Sequence, residues 1–234
     1  MTQTKKFFAA AIFVAASVCA AGTPAPAADL QSVLAQMDAS AVRFQDMQAD
    51  ISVDLYTAVV QEHRTQTGNT AFRRADGSME MVTHILTDNG QPAVTDLLYK
   101  NGELDVYQPG VKQETILSAG NNRGEYDSML ATGFGATSKD LNAAWTVTFE
   151  GMESVNGVQA AKLDLVAKDE KVRDNFSHLT IWVDLSRDIS LKQAMLQPSG
   201  DSRTVTYSNI RYNQHPAAKL FTLHVASGTQ VSHK

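Results

Sequence analysis

Three Asn-Gly pairs, at 89–90, 101–102 and 156–157, fall between runs in which apolar residues alternate with polar ones. Asn and Gly accept the positive φ angles of a two-residue hairpin turn, so this pairing commits the chain locally to antiparallel hairpins. Asp76-Gly77 and Pro198-Ser199-Gly200-Asp201 add further turns, the proline presetting φ in the second. Between the turns, Ile51, Val53, Leu55, Thr57 and Val59 keep the period of a half-buried strand, and Met79, Met81 and Ile85 continue it. Later strands are read at 145–149, 163–165, 179–185, 205–207 and 220–225. The spacing predicts a meander of about ten strands.

One helix precedes the strands. Leu30, Val33, Leu34, Met37, Ala41 and Phe44 recur at steps of three and four, and Asp29 is a credible N-cap, so a helix is expected from there to about Met47. Short helical pieces are expected near 125–131 and 138–143, inside a Gly-, Asn- and Ser-rich stretch at 118–144. Segments of that length inside a compact domain are usually functional or mobile. A long sheet and one amphipathic helix must bury their apolar faces on each other, and a many-stranded sheet curls. The expected fold is mainly β: an incomplete antiparallel β-barrel, or curved sheet, with a helical lid enclosing an apolar cavity.

The first residues read as an export signal. Lys5 and Lys6 precede an apolar run from Phe7 to Val18, and Ala25-Pro26-Ala27 offers small residues where a signal peptidase cuts. The expected organisation is a signal peptide at 1–27 and a single domain at 28–234. The competing reading makes Cys19 a lipidated cysteine, but Ala16-Ser17-Val18 matches that processing signal poorly. Cleavage after Ala27 leaves no cysteine, hence no disulfide, thiol nucleophile or thiolate metal site. Lys5 and Lys6 are lost with the signal, so the 20 basic residues become 18 against 25 acidic ones, a net charge of −7. With no basic run anywhere, neither nucleic acid nor anionic lipid headgroups are expected as the main partner.

Signs of catalysis are missing from the sequence. The six histidines, His63, His84, His178, His215, His224 and His233, show no i, i+4 pair around an acid, and they read as surface or strand-face residues. There is no Gly-x-Ser-x-Gly elbow and no phosphate-binding glycine loop. Gly133-Phe134-Gly135 reads as loop punctuation or a hydrophobic contact of the lid. Asp184 and Asp188 flank a strand end, and Asp169-Glu170 sits in a charged hairpin; a solvated face suits them better than acid–base work. No enzyme activity, cofactor or metal is expected. Met79, Met81, Met129, Met152 and Met195 offer flexible side chains suited to variable apolar shapes, and equally to ordinary core filling.

Several stretches resemble the LolA-like family, the periplasmic carriers of outer-membrane lipoproteins. Leu98-Tyr99-Lys100-Asn101-Gly102-Glu103-Leu104-Asp105-Val106-Tyr107 is similar to a hairpin of that family, followed by Pro109 and Lys112-Gln113. The segment from Leu130 to Leu141, with Gly133-Phe134-Gly135 and Asp140-Leu141, resembles the loop before its central strand. Leu163-Asp164-Leu165, Ile181-Trp182-Val183-Asp184, Gly200-Asp201, Val205 to Ile210 and Phe221 follow its closing strands in order. The resemblance covers nearly the whole mature chain and rests on order and spacing.

It implies a non-catalytic, monomeric periplasmic chaperone that shields lipoprotein acyl chains between inner and outer membrane. An inner-membrane release complex would load it and an outer-membrane acceptor would empty it. Family members tie the lid with an arginine after the first long hairpin strand. Here that stretch reads Ala75-Asp76-Gly77-Ser78-Met79-Glu80-Met81, and neither Arg73 nor Arg74 is assigned that role. The expected cavity face comprises Leu34, Met37 and Phe44 from the helix, with Val53, Leu55, Phe72, Met79, Met81, Leu104, Val106, Trp145, Val147, Leu163, Leu165, Ile181, Val183 and Val205 from the strands. Plain core between helix and sheet is the alternative for each. Three other functions stay open: carriage of another lipid, a cell-envelope sensor or interaction module on the same fold, and a hydrolase whose site assembles only in three dimensions.

Overall fold

The computed structural model describes residues 29–120 and 130–234. The export segment and its cleavage site, Met129, and most of the helical piece expected near 125–131 lie outside the described residues. Helix α1 (Leu30–Ala41) comes first, followed by β1 (Asp46–Thr57), β2 (Glu62–Ala75), β3 (Ser78–Asp88), β4 (Gln91–Lys100), β5 (Glu103–Gln108) and β6 (Gln113–Ser118). Helix α2 (Ser138–Ala144) then leads into β7 (Trp145–Val155), β8 (Val158–Ala167), α3 (Glu170–Arg173), β9 (His178–Asp184), β10 (Ile189–Leu196), β11 (Ser202–Tyr212) and β12 (Gln230–His233).

The strands form one sheet in the order β12-β6-β5-β4-β3-β2-β1-β11-β10-β9-β8-β7. The pairing of β1 with β11 joins the two ends of the meander, and the sheet remains open between β12 and β7. Every pairing is antiparallel except that of β12 with β6, which is parallel. Asp76-Gly77, Asn89-Gly90, Asn101-Gly102 and Asn156-Gly157 all carry two consecutive positive φ angles, the geometry their side chains make inexpensive.

Helix α1 begins where its cap predicts: an Asp29 carboxylate oxygen accepts from the Ser32 amide at 2.7 Å, and the Ser32 hydroxyl oxygen accepts in turn from the Asp29 amide. It ends at Ala41, not at Met47. The Phe44 amide still reaches back to the Ala41 carbonyl, but from Asp46 the backbone is extended and pairs with β2 and β11. Met47 belongs to the strand period of Ala49, Ile51 and Val53 as well as to the helix period, and sheet pairing decides between them.

A second correction concerns 220–225, which is not a strand. Residues Ala218–Leu220 form a 3-10 turn, and Phe221 is buried against Ala71, Val82 and Leu98 on the convex face of the sheet. The Arg73 guanidinium lies 4.2 Å from the centre of its ring. These apolar residues follow the spacing of a strand but pack as a strap.

On the concave side there are two apolar clusters. One lies beneath α1 and α2, where Val33, Met37 and Leu141 meet Leu163, Leu165, Ile181 and Val183. The other gathers Met47, Ile51, Val53, Phe72, Met79, Ile85, Ile189 and Val205 around Phe134.

Candidate functional site

Residues 130–137, which lead into α2, cross the mouth of the curved sheet. Phe134, at the centre of this segment, is 1% exposed. Its ring stacks on Phe72 at 4.1 Å between centroids and meets Tyr207 edge-on at 5.4 Å. The two flanking glycines are required by space and by backbone. Gly133 has φ +83°, and a Cβ there would stand 2.0 Å from the Ser190 hydroxyl; Gly135 has φ +73° and sits against the Phe44 ring. The Gly133-Phe134-Gly135 motif is therefore a hydrophobic plug between two close backbone approaches.

Hydrogen bonds fix this segment to the frame from three sides. The Gly135 amide donates to the Asp188 carbonyl at 2.9 Å, and the Ser190 amide donates to the Gly133 carbonyl. An Arg74 guanidinium nitrogen donates to the Gly135 carbonyl at 2.7 Å, so Arg74, to which the sequence assigned no lid-tying role, does link β2 to the lid segment. Helix α1 is anchored separately: Asp38 accepts from the amide and hydroxyl of Ser138, and the Ser40 hydroxyl donates to the Leu185 carbonyl at 2.8 Å.

Behind Phe134 lies a cavity of about 270 Å³ between the concave face and the lid segment. Its wall is apolar, from Phe72, Met81, Leu97, Leu104, Leu130, Leu179, Met195 and Val205, with a few polar groups from Thr70, Thr83, Gln193, Tyr207 and Arg203. Gln193 is held by the Tyr207 hydroxyl at 3.2 Å and by the Thr132 carbonyl at 3.0 Å. Burial raises the Tyr207 pKa, so that hydroxyl stays neutral and donates. Thr70 and Thr83 bond each other at 2.7 Å. A dominantly apolar concavity with a few placed polar groups is the usual build of a small-molecule site.

The residues expected to face the cavity divide among three environments. Phe72, Met81, Leu104 and Val205 line it. Phe44, Val53, Leu55 and Met79 pack in the cluster beside it, and Leu34, Met37, Trp145, Val147, Leu163, Leu165, Ile181 and Val183 in or against the cluster under α1. Val106 faces the concave side, paired with Leu97, but belongs to neither cluster. The sequence reading omitted Arg203, Gln193 and Tyr207, which stand at inward positions of β11 and β10 in register with Leu55, Val53 and Ile51.

Acid and histidine chemistry is arranged elsewhere. His63 with Asp54, His84 with Asp96, His178 with Asp164 and His215 with Asp46 form ion-pair contacts on the convex side. No three metal-ligating side chains converge among the described residues. One acid is unusual: Asp188, in the turn between β9 and β10, is wholly buried, and neither carboxylate oxygen has a partner among the described residues. Burial, with the nearby Asp38, pushes its pKa up to about 8 against the opposing pull of Arg74.

Comparison with known proteins places the fold. No family model and no curated protein matches the sequence. Among solved structures, an uncharacterized conserved protein from Thermus thermophilus is similar at 11% identity and a TM-score of 0.52, over 87% of this chain and 98% of that one. MucB is similar at 13% identity and a TM-score of 0.51, over 83% of this chain; the match spans 62% of the length of MucB. A LolA superfamily protein from Nitrosomonas europaea matches at 16% identity and a TM-score of 0.41, over 84% of this chain and 99% of that one. At these identities the likeness is one of fold.

Proposed function

We propose that this chain is a periplasmic carrier that shields acyl chains, those of lipoproteins or of a related lipid, on their way between the inner and the outer membrane. In this reading residues 28–234 act as one monomeric carrier domain after removal of a signal peptide at 1–27. An inner-membrane complex loads it and an outer-membrane acceptor receives the cargo. The observation that supports the reading is the apolar cavity behind Phe134, on an open curved sheet of a kind shared with MucB.

The size of the cavity sets what it holds in this conformation. A cavity of about 270 Å³ has room for part of one acyl tail, and each methylene buried there gains about 0.8 kcal/mol. The bilayer offers the same gain per methylene, so such a site exchanges chains with a membrane and does not trap them. The three chains of a mature lipoprotein would require the Phe134 segment to withdraw and the cavity to widen.

The test is native mass spectrometry with lipid extraction on the mature protein purified from its own periplasm, together with capture of lipoproteins released from spheroplasts. The carrier reading expects co-purifying acylated cargo that is lost in Met81→Glu and reduced in Leu97→Trp. A protein that comes out empty and ignores released lipoproteins contradicts it, and makes an interaction module of the envelope the better account.

A further inference from the structure

An acyl chain alone does not account for Arg203. Its side chain shares the concave face of β11 with Val205 and Tyr207, and its register partners on the adjoining strands are Leu55 and Met195. No hydrogen bond or ion pair joins its guanidinium to a described residue, and its Nε is shut away from solvent without a partner. Burial pulls its pKa down, yet an arginine keeps its proton at any physiological pH. The wall of an apolar cavity thus carries a positive charge that no described residue pairs with. Such a charge costs stability, and a leucine or methionine would continue the row without that cost.

Its place in the fold supplies a reason for keeping it. Arg203 lines both the cavity and a groove of about 840 Å³ running past Arg64, Pro92, Pro109 and Val111. The carboxylate in that groove, Asp88, is already held by Arg64 and Gln66 and leaves Arg203 unpaired. The guanidinium therefore stands where the apolar cavity meets a groove carrying Arg64 and Asp88, a place suited to the head of an amphiphile whose tail is buried.

We propose that Arg203 receives the oxyanion head, carboxylate or phosphate, of an acyl ligand whose tail fills the cavity between Phe72, Met81 and Phe134. This rests on the carrier reading and selects its related-lipid branch, lipids with an anionic head, since the ester- and amide-linked chains of a lipoprotein carry no such head. The planar donor fork of arginine fits two oxygens of either head at once, and charge-assisted bonds of this kind strengthen where water is excluded.

The test measures binding to the mature protein of dodecanoate, dodecyl phosphate and lysophosphatidylglycerol against neutral dodecanol, with inorganic phosphate as the chainless arm. Wild type should prefer the charged ligands by about tenfold or more. Arg203→Met should abolish the preference, bringing the charged ligands to within about twofold of dodecanol in the same variant, and Arg203→Lys should keep part of it. Because the readout is a ratio within one variant, partial loss of folded protein does not imitate the effect, and Arg203→Gln replaces Arg203→Met if the latter fails to fold. Equal binding of dodecanoate and dodecanol by wild type, or a preference that survives Arg203→Met, overturns the assignment and leaves the carrier reading standing. Binding of inorganic phosphate with no binding of any acyl ligand overturns both.

Discussion

Beneath α1 and α2, the concave face is filled: Leu163, Leu165, Ile181 and Val183 are fully buried and meet Val33 and Met37 of the helix. A few strands away, Met81, Leu97 and Leu104 are only half-buried, and the space in front of them is the cavity. Both regions obey the same inward period, so alternation does not separate them. What separates them is the element that covers each. A three-turn helix fits its ridge of Val33 and Met37 into the sheet, whereas a glycine-flanked segment brings a single large ring, Phe134, and leaves a void behind it. One half supplies stability and the other room.

That contrast is broken most directly by truncation. Leu163→Ala, in the filled half, should cost about 2–5 kcal/mol of unfolding free energy, because the cavity it opens lies under a packed helix whose last turn is tied to the frame. Urea denaturation measures this, and a loss below about 1 kcal/mol would show that the filled half is not tightly packed.

Asp188 sits on the seam, beside Arg74 of β2 and Asp38 of α1 and beneath Gly135 of the lid segment. With its folded pKa at about 8 and its ordinary value near 4, the native state holds a proton that the unfolded chain gives up. Its contribution to stability is therefore complete below about pH 4 and is lost as pH rises through about 8. Between pH 5 and 9 the loss should be about 2 kcal/mol, less than the full linkage value because buried sites relax and admit water. Asp188→Asn should flatten the profile; an equal slope in the variant would place the titrating group elsewhere, with Arg187, Arg43 and Tyr212 the other charged or titratable groups nearby.

Met81→Ala, in the roomy half, should cost only about 1 kcal/mol, since the side chain already borders empty space, while weakening acyl-ligand binding by more than its effect on stability. Asp29→Ala should lower stability by less than Met81→Ala through loss of the cap of α1, without altering ligand binding, which would separate the stabilising helix from the segment over the cavity.

The sequence made the turns legible because Asn-Gly chemistry is local, and it made most strands legible because one face is buried. It left three things hidden for different reasons. The end of α1 was ambiguous because Met47 fits both periods and no glycine or proline marks the stop. The stretch 220–225 carries strand-like spacing, but its apolar side chains are taken up on the convex face, where Phe221 packs on Ala71, Val82 and Leu98. Arg203 escaped notice because a charge in an alternating run is ordinarily read as solvent-facing, although its parity with Val205 and Tyr207 already placed it inward. The inward set could be listed from the sequence; which members border a void depends on the width of the covering element, and no periodicity carries that.

The most direct test of the filled and roomy halves uses methionine methyl groups as reporters. Met81 and Met195 line the cavity, Met37 lies in the filled cluster, and Met152 is exposed at the far edge of the sheet. Titrating dodecyl phosphate into mature protein labelled at the methionine methyls should move the signals of Met81 and Met195 and leave those of Met37 and Met152 in place. Shifts centred on Met37, or no shift at any of the four, would contradict the assignment of the acyl site to the cavity behind Phe134.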